Sequence, residues 1–172
     1  MKNGTRTLAE DEIKRLAGDM ASPSWEMRCN AAEDLGDTGD PKAIPYLLRG
    51  IADPVGAVRY AAAAALGKIG DPSAARYLID CVESSAFGPP SPVLEALGNL
   101  RVKEAVPTFL KYLRDPDART RGVANNALMV TTGRSMGFKP GADEHAREEA
   151  IAKWEEWWEE NRDAFQVPGR KK

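Results

Sequence analysis

The chain has 172 residues, 42% apolar and 29% charged, with a formal net charge of −2. This length fits one domain that buries roughly two-thirds of its unfolded surface. The interspersed charges of both signs argue against the basic stripe that a general nucleic-acid binder needs.

Cys29 and Cys81 lie far apart with no C-x-x-C spacing, so a reducing compartment is expected and a disulfide framework is not. No stretch approaches the roughly 18–20 apolar residues that span a bilayer, and Met1 to Glu10 lacks the apolar core of a signal peptide. The expectation is a cytoplasmic monomer that contacts neither membrane nor nucleic acid.

In chain order, apolar periodicity and breaker residues predict helices at 8–20, 24–36, 41–52, 55–69, 72–85, 90–100, 103–114, 117–131 and 143–163. The first eight repeat with a period of 31 residues. Ile13, Leu16, Ala17 and Met20 recur as Ile44, Leu47, Leu48 and Ile51, as Ala75, Leu78, Ile79 and Val82, and as Val106, Phe109, Leu110 and Leu113. A second series runs Met27, Ala31, Leu35; Val58, Ala62, Leu66; Pro89, Val93, Leu97; Thr120, Ala124, Leu128. Fixed-period self-similarity of this kind marks stacked helical pairs. Each pair carries two apolar stripes that only its neighbours can cover.

Residues 40–70 form the clearest unit. Asp40-Pro41 opens a helix, Asp as a cap and Pro where no amide is needed. The set at 44, 47, 48 and 51 is an i, i+3, i+4, i+7 stripe. Asp53-Pro54 stops that helix, and the alanine-rich second helix is read as ending at Gly67 and Gly70. Positions 44/75/106, 48/79/110 and 35/66/97/128 are expected to be the most buried.

The third unit departs from the pattern, with Ser84-Ser85 for Asp-Pro and Pro89-Pro90 in place of Val-Arg. Phe87 to Pro92 is read as a stiff turn with a helix after it.

These units resemble HEAT repeats, in particular the short HEAT-like repeats of phycobilin lyases. The resemblance is carried by Ala43–Leu48, Gly50–Pro54 and Gly56–Pro72, with weaker copies at 26–41, 74–79 and 105–128, and it extends over residues 8–132. It implies an all-α, right-handed α-solenoid (an α-α superhelix) of four two-helix repeats, 8–38, 39–69, 70–100 and 101–132. A loop at 133–142, a capping helix at 143–165 and a flexible tail at 166–172 complete the single domain. It also implies a structural ladder of arginines and aspartates, here Arg28, Arg59 and Arg121 with Asp53 and Asp115.

The last predicted helix carries Ile151, Trp154 and Trp158 on one face, with Trp157 beside them, which suits a terminal cap.

The only histidine is His145, and no G-x-S-x-G, P-loop or G-x-G-x-x-G motif occurs. Deoxyhypusine hydroxylase uses similar repeats with paired His-Glu dyads for iron, which one histidine cannot supply. No metal or cofactor is expected, and the chain reads as a non-enzymatic scaffold that binds a protein or peptide. The alternative implied by the resemblance is phycobilin-lyase-like attachment or removal of a tetrapyrrole. Lesion-binding glycosylases with similar repeats are disfavoured by the acidic balance.

The resemblance also places the second helix of each pair on the concave face. In register with Tyr60, Ala61, Ala64 and Lys68 stand Cys29, Asn30, Glu33 and Asp37; Ser91, Pro92, Glu95 and Asn99; and Gly122, Val123, Asn126 and Val130. From these and the entry edge, the binding candidates are Trp25, Asn30, Glu33, Tyr60, Ala64, Lys68, Glu95, Asn99, Arg119 and Asn126.

Overall fold

The computed structural model describes residues 4–84 and 88–169, with side chains from Glu10 onward. Ser85, Phe87 and the basic tail Arg170-Lys171-Lys172 therefore lie outside the described residues.

Four helix pairs follow one another: α1 (Gly4–Asp19) with α2 (Trp25–Asp37), α3 (Ile44–Ile51) with α4 (Gly56–Ile69), α5 (Ala75–Glu83) with α6 (Ser91–Leu100), and α7 (Val106–Tyr112) with α8 (Ala118–Thr132). A last helix, α9 (Glu144–Asn161), ends the array. No strand occurs among the described residues. The molecule is an all-α solenoid.

Short polar side chains start the helices by taking orphan amides. Ser24 accepts from the Met27 amide at 3.3 Å and Asp143 from the Ala146 amide at 2.9 Å. Asp40 and Asp71 cap the amides of Lys42 and Ser73 at 2.9 and 2.8 Å. Their prolines open 3-10 turns, Pro41–Ala43 and Pro72–Ala74, and Lys103–Ala105 does the same in the fourth unit. The α-helices expected from 41, 72 and 103 thus begin three residues later. In the third unit α6 starts at Ser91, so Pro92 sits in its first turn rather than before it. There the ring sits where the helix has no amide bond to lose.

Gly70 and Gly133 end α4 and α8 in the left-handed conformation, at φ 71° and 70°. Arg101 takes this conformation at the end of α6, at φ 50°, where the first two units have Gly39 and Gly70. Gly67, read above as a terminator, lies within α4.

Gly67 serves packing instead. The second helices stack in order, α2 on α4, α4 on α6 and α6 on α8, and each rests against its own first helix. A Cβ on Gly36 would stand 2.8 Å from the Cα of Ala65, one on Gly67 3.0 Å from that of Ala96, and one on Gly98 3.2 Å from that of Ala127. Three inter-repeat contacts thus run glycine against alanine.

Leu35, Leu66, Leu97 and Leu128 are fully buried, as are Leu47, Leu78 and Phe109. The 48/79/110 series is less enclosed than expected. Leu48 is only half-buried, because the stripe points its 47/78/109 edge at the partner helix.

Helix α9 packs on α7. Ile151 and Trp154 are buried, while Trp157 and Trp158 are half-buried under Phe165, whose ring meets theirs edge-on at 5.5 and 5.8 Å. Arg114 at the end of α7 holds Glu148 at 2.9 Å and Glu155 at 2.6 Å. Beyond the helix, the Pro168 carbonyl accepts from Arg101 Nη2 at 2.6 Å.

Two stability measurements follow from this packing. Gly36→Ala should lower stability by about 1–3 kcal/mol in urea unfolding, because the new methyl meets main chain that cannot turn aside. Better helix propensity would alone favour alanine by about 1 kcal/mol, so an unchanged or raised midpoint would show that the repeats can part. Trp154→Ala should cost about 3–5 kcal/mol, more than Trp157→Ala or Trp158→Ala.

Candidate functional site: a groove along the second helices

Two adjoining cavities open along α4, α6 and α8. The larger, about 400 Å³, lies among Arg59 and Tyr60 of α4, Pro89, Pro92 and Glu95 at and in α6, and Arg119 and Val123 of α8. The other, about 350 Å³, continues between α6 and α8, past Glu95, Asn99, Arg119, Val123, Asn126 and Val130. Glu95, Arg119 and Val123 line both, so the two form one groove.

Of the expected binding residues, Tyr60, Glu95, Asn99, Arg119 and Asn126 come together here. Trp25, Asn30 and Glu33 on α2, and Ala64 and Lys68 on α4, are exposed but line neither cavity. Lys68 is tied to Asp37 of the preceding unit by an ion pair. Ala61, placed on the outward face by register, is buried. Arg59, Pro89 and Thr120 also line the groove. Pro89 and Thr120 stand in the core series and Arg59 in the structural ladder read from the sequence, though the prolines mark an irregularity at that point.

Tyr60 is 52% exposed, so a large ring stands open at one end of the groove. Asp117 at its rim is occupied: it accepts from the amide and hydroxyl of Thr120 at 2.9 and 3.0 Å. The Thr120 amide bond holds its carboxyl below the usual range.

A repeated arginine device fixes the turns that lead into the second helices. Nη1 of Arg28 donates to the carbonyls of Ser22 and Pro23 at 2.8 and 3.3 Å. Arg59 does the same to Asp53 and Pro54 at 2.8 and 3.0 Å, and Arg121 to Asp115 and Pro116 at 2.8 Å each. Each arginine thereby pins the turn five and six residues before it.

Arg28 also reaches into the next unit, with Nε and Nη2 on the carboxylate of Asp53 at 2.6 and 2.9 Å. Asp53 in turn accepts from the Val55 amide at 2.8 Å. The corresponding aspartate and arginine of the third unit are Ser84 and Pro90, so this cross-link is not repeated there. At the end of the array Nε and Nη2 of Arg121 take the Pro140 carbonyl at 2.9 and 2.6 Å. Asp115 is thus reached through its carbonyl, while its carboxylate accepts from the Asp117 amide at 2.9 Å.

Burial pushes the thiols of Cys29 and Cys81 up, away from the reactive thiolate. His145 is exposed beside Glu149, its Nε2 at 3.3 Å from the carboxylate. Among the described residues, no three His, Cys, Asp or Glu side chains gather as a metal site. No helix among them is long and apolar enough to cross a membrane.

Paired helices stacked in sequence order define the class as a helical-repeat solenoid. The family model for HEAT repeats matches residues 13–88. No curated protein matches the sequence. Among solved structures, the complex of CpcE and CpcF of phycocyanin lyase from Nostoc sp. PCC7120 is similar at 26% identity and a TM-score of 0.63, over 86% of this chain and 65% of that one. Human deoxyhypusine hydroxylase, in complex with glycerol, shares the fold at 19% identity and a TM-score of 0.62, over 97% of this chain and 51% of that one. The chain therefore spans less than two-thirds of either neighbour's length.

These neighbours correct the expectation that the chain is not an enzyme. Both bear the names of enzymes, so an array of this kind is no sign that catalysis is absent.

The Arg28–Asp53 pair gives a pH test. Hydrogen bonds from Arg28 hold the Asp53 carboxyl below its ordinary value, and burial opposes them only in part. A lowered folded-state value adds stability above the ordinary carboxylate value and loses it as pH falls through the lowered one. Between about pH 4 and pH 2, the urea midpoint of Asp53→Asn should therefore fall less than that of the parent protein. Parallel curves would show that the pair contributes nothing to folding.

Proposed function

We propose that the groove along α4, α6 and α8 binds a segment of a partner protein. The observation that carries this reading is the continuity of the two cavities, with an exposed aromatic ring at one end and charged and amide side chains along it. Shallow, half-apolar surfaces with open polar groups suit a polypeptide, which offers both apolar side chains and main-chain hydrogen bonds. The pairing of CpcE with CpcF in the similar structure makes a second protein chain a reasonable class of partner.

The test is affinity purification from the native host followed by binding measurements with the recovered partner. Tyr60→Ala and Glu95→Lys should each weaken binding at least about tenfold while the melting temperature stays nearly unchanged. Loss of binding on changing Arg49 or Lys111 of the first helices, with Tyr60 and Glu95 indifferent, would move the site to the other face.

A second reading, phycobilin-lyase-like attachment or removal of a tetrapyrrole, is favoured by the similarity to the phycocyanin lyase complex. The larger cavity offers it apolar walls at Tyr60, Pro92 and Val123, with cations at Arg59 and Arg119. A free phycobilin mixed with the protein should then show a shifted visible band that Tyr60→Ala removes. An unshifted spectrum would overturn this reading.

A further inference from the structure

Among the described residues, the arginines other than Arg119 are engaged. Arg15, Arg28, Arg76, Arg114 and Arg162 pair with carboxylates. Arg101, Arg121 and Arg147 donate to main-chain carbonyls, as Arg59 does, and Arg49 and Arg134 lie over aromatic rings. Arg119 differs. Exposed in the middle of the groove, its guanidinium makes no hydrogen bond, ion pair or ring contact among the described residues. Glu95, which lines the same two cavities from the neighbouring helix, is equally without a partner. Asp117 at the rim accepts from Thr120 at one oxygen and makes no ion pair with Arg119. Arg119 and Glu95 thus stand as an open cation and an open anion lining the same groove from stacked helices, two turns out of register.

We infer that the groove selects an extended peptide segment carrying one acidic and one basic side chain, the acidic one for Arg119 and the basic one for Glu95. This rests on the peptide-binding reading above and names its chemistry. A carboxylate matches the fork of a guanidinium through two parallel hydrogen bonds. Stacked helix axes stand about 8–10 Å apart, and register sets Glu95 opposite Asn126, two helical turns (about 10 Å) beyond Arg119. The two side chains thus start about 13–15 Å apart, and an extended chain advances about 3.3 Å per residue. The two charges of the ligand therefore sit about four residues apart. An apolar side chain near them meets Tyr60, Pro92 and Val123. The amides of Asn99 and Asn126, each donor and acceptor, face the same channel and suit the main chain.

The probe is a phage library of random 12-residue peptides panned against the full chain. The selected peptides should pair an acidic with a basic residue about four positions apart. A synthetic one should lose at least about tenfold in affinity with Arg119→Glu, at an unchanged melting temperature. The variant carrying both Glu95→Arg and Arg119→Glu should instead bind the peptide whose two charges have been exchanged. That rescue is not produced by a merely structural role.

Peptides selected without charge preference, whose affinity falls with Tyr60→Ala but not with Arg119→Glu, would overturn this inference and leave the groove as the binding site. Peptides indifferent to Tyr60→Ala as well, or no enrichment at all, would overturn both. Concentration-dependent dimerisation abolished by Arg119→Glu would assign the face to a second copy of the chain, against this inference.

Discussion

The approach of each second helix to the next, glycine against alanine, sets the spacing on which the rest of the structure depends. Gly36 meets Ala65, Gly67 meets Ala96 and Gly98 meets Ala127, with no room for another methyl group. Small residues let main chain approach main chain, and the large apolar residues then fill the layer between first and second helices at crystal-like density. The ends of the array confirm the logic. Asp34 occupies the alanine position of the first unit and is exposed, with no second helix of an earlier unit stacked on it among the described residues. Met129 occupies the glycine position of the fourth and is 38% exposed, because no repeat follows. The constraint is released where stacking stops.

The arginine device works beside this contact and explains where the groove opens. Each arginine fixes its own interhelical turn, so the entry edge of every second helix is held from within the unit. Cross-linking between units is a separate matter. Arg28 and Asp53 tie the first unit to the second, but Ser84 and Pro90 remove that link around the third. The rim there is built from Pro89 and Pro92 instead, beside Tyr60 and Val123. Where the ladder would have presented a neutralised ion pair, the chain presents an apolar edge next to an open arginine.

Much of the fold was legible because it repeats. A period of 31 residues fixes which positions face one another, and the leucines at 35, 66, 97 and 128 are fully buried. What was missed follows from reading one residue at a time. Gly67 was taken for a helix end because glycine does end helices, yet Gly36 and Gly98 share its register within helices of their own. Leu48 is less buried than Leu47 because a stripe's centre cannot be told from its edge by spacing alone. Half of the expected binding residues do line the groove, since register assigns a helix face. Register cannot tell how far a concave face deepens, so Trp25 and Asn30, which lie beyond the cavities, were grouped with residues that line them. Arg59 shows the opposite limit: a structural role in the turn did not keep it from lining the groove as well.

The cap bears on the groove through α7 and α8. Arg114 carries two glutamates of α9, one turn from where α8 begins at Ala118, and Arg121 of α8 is held by the Pro140 carbonyl in the loop that leads to α9. The side chains of Arg119 and Val123 flank Arg121 on that same helix, facing the groove. Helix α8 is therefore clamped from the end of the array while its other face stays open to solvent. An open cation on a fixed helix loses little freedom when it meets a carboxylate, since only its own rotamers remain to be ordered. The same cation on a fraying terminal repeat would have to order the repeat too. Placing the unpartnered charges on the two units nearest the cap puts them where α9 and its loop hold the scaffold.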